Sequence, residues 1–292
     1  MKSVDVPITY EKFKYYYRHI RNGSSNSEPI LVISGAFQNM DSWKKYVKYF
    51  SAESTVILLD LPGVGRSDFL PPDKGVDFLV GSIYKLLGEL AISKCCLVSA
   101  SYGTPIAYRF AQKYPELLSS VVLGGTMKEI PRDARSRIIH TLHLLENNKM
   151  EEFASYVVHN GLLCRDENKI VARRKLVERV IYLQLKNMSG DEIVRYISNT
   201  WRLLKHEPLD LSDKPRVRAL VFTGEHDVFT LPQYCREMAA AFKNAVFTTI
   251  KHSDHLSHIQ QFPVVTELLM RFLKNKPLEG MAGCNAIEYF KA

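Results

Sequence analysis

Residues 99–103 read SASYG, a serine held between small residues where a short apolar run, KCCLVSAS, gives way to a helix-like pattern. Small-Ser-small at a strand-to-helix junction suits a nucleophile turn. The flanks must pack closely, and the central hydroxyl, Ser101, stands clear of the backbone. The helix behind it would aim free N–H groups and a positive dipole end at the chemistry. A serine hydroxyl is a weak nucleophile near neutral pH and needs a base in hydrogen-bond reach, itself oriented by a carboxylate. Both follow downstream in the order serine, acid, base. VFTGEHDVF places Asp227 just past a strand end, with Glu225 as a competing acid nearer the strand. TIKHSDHLSHIQQFP places His255 in a loop before a helical run; His258 is the second choice of base, and His252 is also close.

Acyl transfer through such a serine also requires donors for an oxyanion. The N–H of Tyr102, next after the nucleophile, is one expected donor, and the N–H of Ala36 in VISGAFQNMDSW is the other, with Gly35 permitting close approach. HSDHLSH has the spacing of a metal cluster, but no second ligand group accompanies it elsewhere, so neither a metal nor a cofactor is expected.

These residues need elements to position them. PILVISGAF, STVILLDLPG, KCCLVSAS, LSSVVLGGT, VRALVFTGE and NAVFTTIKH are continuous apolar runs of the kind buried parallel strands show. Helical periodicities separate them, in DSWKKYVKYF, VDFLVGSIYKLLGELAI, YGTPIAYRFAQKYPEL, LPQYCREMAAAFK and PVVTELLMRFLKN. The alternation predicts an α/β fold with a mainly parallel sheet and helices on both faces. YEKFKYYYRHI reads as an early edge strand or hairpin, and the tail after Pro277 as an irregular end with docking aromatics. From 127 to 213 there is no strand pattern, only helical stretches such as ARRKLVERVIYLQLK. The expected division is therefore a core of 1–126 and 214–292 with a helical lid insertion, 127–213, covering the carboxyl edge of the sheet. Packing of those helices on the flank is the alternative.

At 292 residues, 46% hydrophobic and 24% charged, the chain can bury one sizeable core. Five cysteines, an odd number without a CxxC pair, indicate neither a disulfide framework nor a zinc knuckle and fit a reducing cytoplasm. The N-terminus has no apolar signal core, and no run of about 18 apolar residues occurs, so a soluble cytoplasmic protein without stable membrane insertion is expected. The net charge of +8 suits an acidic partner, but Lys and Arg are scattered. The densest cluster, VARRK, lacks interleaved aromatics, so nucleic acid is not expected.

Over nearly its whole length the chain resembles the α/β-hydrolase fold family. The similarity lies in SGAFQNMDSW, where the family usually has His-Gly and this chain has Ser34-Gly35. It extends to LLDLPGVGRSD, a loop often written Asp-x-x-Gly-x-Gly-x-Ser, to the serine turn and to the late Asp and His. Serine at the turn is unlike the dehalogenase branch, whose nucleophile is aspartate. LVSASYG, LLDLPGVGRS and NAIEYF are similar to the bacterial acyltransferases that make the lipid part of rhamnolipids, the 3-(3-hydroxyalkanoyloxy)alkanoate synthases. That resemblance implies attack of Ser101 on a 3-hydroxyacyl thioester, carried by an acyl carrier protein or coenzyme A, followed by capture of the acyl group by a second hydroxyl. An esterase or thioesterase using water, a non-catalytic receptor, and a lyase or cofactor-free oxygenase remain alternatives on the same fold.

Overall fold

The computed structural model describes residues 4–23 and 27–291. The six uninterrupted apolar runs form its inner strands: β3 (Ile30–Ile33), β4 (Val56–Asp60), β5 (Cys95–Ala100), β6 (Leu118–Gly124), β7 (Arg218–Gly224) and β8 (Asn244–Ile250). They pair in parallel in the order β4-β3-β5-β6-β7-β8. Such strands are apolar throughout because both faces are covered. Alternate side chains separate cleanly. Ile30, Val32, Val56 and Leu58 join a core under α1 (Lys44–Phe50) and α10 (Phe262–Leu273). Leu31, Ile33, Ile57 and Leu59 join the opposite core under α2 (Val76–Glu89), α3 (Gly103–Lys113) and α8 (Pro232–Ala240).

Antiparallel strands finish both edges of this nine-stranded sheet. The aromatic N-terminal stretch is a hairpin, β1 (Asp5–Tyr10) and β2 (Phe13–Ile20), turned at Glu11 with a positive φ of 49° and paired to β4. The tail is not wholly irregular, as the sequence had suggested. Glu288–Lys291 forms β9, paired antiparallel with β8, and Phe290 packs against the core while Tyr289 stays half exposed. Four residues carry too little periodicity to announce a strand; its partner defines it.

Between β6 and β7 lie only helices: α4 (Arg132–Glu146), α5 (Met150–Val157) with a π-helical turn at Val158–Leu162, α6 (Arg174–Lys186) and α7 (Gly190–Lys205). They enclose their own apolar cluster around Phe153, Val177 and Leu185, which Phe37 and Leu256 join from the sheet's side. The Leu209 N–H donates to the Lys128 carbonyl at 3.1 Å, tying the two ends of the segment together. Among the described residues no helix is long and apolar enough to cross a membrane.

Candidate active site

Ser101 lies between the end of β5 and the start of α3, with a positive φ of 45°, a backbone conformation costly for a non-glycine residue. Its N–H donates to the Gly124 carbonyl at 2.8 Å, and its own carbonyl accepts the Thr104 N–H and hydroxyl at 2.9 and 2.7 Å. The small flanks have a visible reason. A Cβ on Gly103 would lie 3.0 Å from the Ser34 carbonyl oxygen, and the buried Ser99 hydroxyl donates to the Val122 carbonyl at 2.8 Å.

Two loops at the carboxyl ends of β7 and β8 meet this serine. Ser101 Oγ is 3.1 Å from His255 Nε2, and His255 Nδ1 is 2.9 Å from Asp227 Oδ2. Asp227 is saturated with donors: the Phe229 and Thr230 N–H groups at 2.8 Å each, the Thr230 hydroxyl at 2.6 Å and the Thr223 hydroxyl. Burial would raise its carboxyl, but the His255 charge and these hydrogen bonds hold it below the usual carboxylate range. Burial likewise opposes protonation of His255, and Asp227, with the charge of Asp254, outweighs it and keeps the imidazole above the ordinary histidine value. Phe229 meets the His255 ring edge-on at 5.2 Å.

The rival residues have other partners. Glu225 accepts the His252 N–H at 2.6 Å and an Asn285 amide N–H at 3.0 Å, and the His252 ring, half exposed, lies 3.7 Å from it. His258 is pushed down to about 4 by burial and by His255, and its Nε2 lies 3.1 Å from the Gln38 side-chain nitrogen. The three histidines of HSDHLSH thus face three different partners and do not converge as a ligand set would.

The loop after β3 closes the other side. A Cβ on Gly35 would sit 3.2 Å from the Ala100 carbonyl oxygen and 3.4 Å from the Ser101 Cβ, so only glycine passes this close to the serine turn without displacement. The Gly35 N–H is taken by Gln38 Oε1 at 3.0 Å. Among the described residues no backbone acceptor meets the Ala36 N–H, and the Tyr102 N–H precedes the first turn of α3, outside its ladder. Ser34, standing where the family usually has histidine, accepts the Trp43 indole N–H at 3.2 Å. The following turn is braced by Asp60, from LLDLPGVGRSD, whose buried carboxylate accepts the Met40 N–H at 2.8 Å and is raised to about 6 by that burial.

Gln38, Thr223 and Thr230 were absent from the sequence reading. Nothing in one sequence marks a glutamine as the link between a loop N–H and a distant imidazole. Thr230 stands three residues after Asp227, a spacing at which an Asx-type turn could have suggested it.

Ser101 and His255 open into a cavity of about 860 Å³. Ile138, Tyr156, Leu176 and Ile181 from the inserted helices line it together with Phe229 and Phe222 from the core. A largely apolar chamber beside a polar chain of three groups suits attack on the acyl carbon of a largely apolar substrate.

Residues 28–262 match the α/β-hydrolase fold family. The chain belongs to it. Among relatives, (E)-2-((N-methylformamido)methylene)succinate hydrolase of Acinetobacter baylyi is 23% identical over 281 residues, covering 95% of this chain and 100% of that protein. The enol-lactonase of Burkholderia xenovorans superposes with a TM-score of 0.77 at 20% identity, over 92% of this chain and 100% of the other. A thermophilic esterase of Thermogutta terrifontis gives 0.74 at 20% identity, over 94% and 99%. These α/β-hydrolase relatives do not carry the narrower resemblance to rhamnolipid-precursor synthases.

Proposed function

We propose that the protein hydrolyses carboxylic esters, thioesters included, through an acyl-enzyme on Ser101. The observation that carries this is the unbroken Ser101–His255–Asp227 hydrogen-bond chain, at 3.1 and 2.9 Å, facing a cavity with apolar walls. Ser101 Oγ attacks the acyl carbon as its proton passes to His255 Nε2, and Asp227 stabilises the imidazolium from the Nδ1 side. The oxyanion is met by the Ala36 and Tyr102 N–H groups. Collapse breaks the bond to the alcohol or thiol, which leaves with the proton held on His255. A water, deprotonated by His255, then attacks the acyl-enzyme, releases the acid and restores Ser101. The helices of 127–213 serve as a cap over a core made by 1–126 and 214–292, and exclude bulk water from the acyl group.

A second acceptor is the alternative. A cavity of about 860 Å³ falls toward the upper end of ordinary ligand pockets, about 300–1,000 Å³, and leaves room for a second acyl chain whose hydroxyl replaces water. In that reading the protein is a 3-hydroxyacyl-thioester acyltransferase making 3-(3-hydroxyalkanoyloxy)alkanoate, fed by an acyl carrier protein or coenzyme A. Mass spectrometry of products from one pool of 3-hydroxyacyl thioester separates the two. Free acid is the product expected, and the chain-joined ester as main product would assign the transferase. Absence of turnover on esters and thioesters alike would leave a receptor.

A further inference from the structure

Helix α6 is apolar on two faces. Val177, Ile181 and Leu185, at intervals of four, are buried in the cap's cluster. Leu176, Val180 and Leu183 point outward, 59%, 47% and 45% exposed. A surface helix ordinarily keeps one apolar stripe for its core, so a second stripe asks for something to cover it. Its position is informative. Leu176 and Val180 belong at once to the surface and to the cavity wall, as do Arg173 and Gln184 beside them and Lys44 and Lys45 of α1. The outer stripe therefore adjoins the entrance to Ser101, with Leu176 and Val180 at its rim and Leu183 outside it.

The exposed charges flanking the outer stripe of α6 are mainly cationic, while Asp41, Glu129 and Glu207 also line the cavity. Arg173, Lys175 and Arg179 are exposed and make no ion pair among the described residues. Of the acidic groups facing this region, Glu178 is engaged by His159 at 2.8 Å, and Asp41 by Arg18 at 2.7 Å and Lys44 at 3.3 Å. A helix with an apolar stripe flanked by unpaired cations fits the boundary of an anionic bilayer, its stripe among the acyl chains and its cations at the headgroups. A second copy of this chain fits poorly, because a two-fold contact across α6 would bring the unpaired cations of both copies into one interface.

We propose that the outer face of α6 docks the protein peripherally on an anionic lipid surface, so that an apolar acyl substrate passes from lipid straight into the cavity. This rests on the cavity being the substrate site of the proposed hydrolase. Docking itself is measured apart from chemistry, on the full chain carrying Ser101→Ala, by co-sedimentation with vesicles of phosphatidylcholine alone or mixed with phosphatidylglycerol. The mixed vesicles should bind the protein about tenfold more strongly or better, and added salt should weaken that binding. Lys175→Glu with Arg179→Glu should lower it by about tenfold or more, and Leu183→Ser should lower it with every charge in place. None of these three residues lines the cavity, so with Ser101 present the same variants should hydrolyse a short water-soluble ester at the parental rate. That rate, with circular dichroism, shows that they fold.

Equal or absent binding on the two vesicle types would overturn the proposal, as would binding unchanged by the variants. A soluble dimer that Leu183→Ser converts to monomer would overturn it too, assigning the face to a second copy. If Ser101 proved uninvolved in turnover, vesicle binding would still stand or fall on its own.

Discussion

Two carboxylates act on His255 in different ways. Asp227 holds Nδ1 by a direct bond, whereas Asp254 contributes charge while its oxygens accept the Cys164 and Leu256 N–H groups at 3.1 Å and a Gln260 amide N–H at 2.8 Å. His255 must be neutral to take the Ser101 proton, so kcat/KM should fall as pH drops through its pKa. The midpoint of that acid limb should lie above about 6.5, the ordinary histidine value, and Asp227→Asn should cost about 10³–10⁴ in kcat at neutral pH. A pH–rate profile on a soluble ester checks both. The linkage to stability runs in opposite senses for the pair. The raised His255 stabilises the fold below its unfolded pKa and loses this as pH rises through the folded one, while the depressed Asp227 contributes above its unfolded pKa and loses this as pH falls. Gln38 belongs at this scale too, since it fixes the Gly35 N–H beside Ala36, the oxyanion donor proposed above. Gln38→Ala should lower kcat by about tenfold with KM little changed, and the result is read from steady-state kinetics against an unaltered Tm. Asp227 and His255 were legible because chain order and strand ends point to them. The Gln38–His258 contact was not, because 220 positions separate its partners.

The parts that carry these residues differ in how far local pattern determines them. The parallel strands were visible as apolar runs because burial on both faces leaves them no polar positions. Leu31 in β3 is fully buried, and Leu31→Ala should cost about 2–5 kcal/mol in urea unfolding. The edge strand β9 was hidden because its four residues alternate between exposed and half-buried, and only pairing with β8 makes them a strand. Also unseen was the grip of the inserted helices on the loop after β3. Phe37, at a positive φ of 60°, stacks on Tyr196 at 4.4 Å, and its carbonyl accepts a Gln184 side-chain N–H at 2.8 Å. Because Ala36 immediately precedes it, Phe37→Ala should reduce kcat proportionally more than it reduces thermal stability. Comparing the rate loss with the shift in Tm tests that.

At the scale of the molecule, two cores clamp the sheet, and a third cluster under the inserted helices borrows Phe37 and Leu256 from the loops that carry Ala36 and His255. In the proposed function the chamber between the inserted helices and the sheet holds the acyl chain. Each methylene buried there is worth about 0.8 kcal/mol, so kcat/KM should rise about fourfold per added acyl carbon until about 860 Å³ is filled, measured with a homologous ester series. All of this depends on Ser101 being the group that takes the acyl chain. Intact-protein mass spectrometry after treatment with a fluorophosphonate, on the parent and on Ser101→Ala, tests it most directly. One adduct mapped to Ser101, absent from the variant together with ester hydrolysis, is the predicted result. Hydrolysis persisting at the parental rate in Ser101→Ala, or modification at another residue instead, would contradict it.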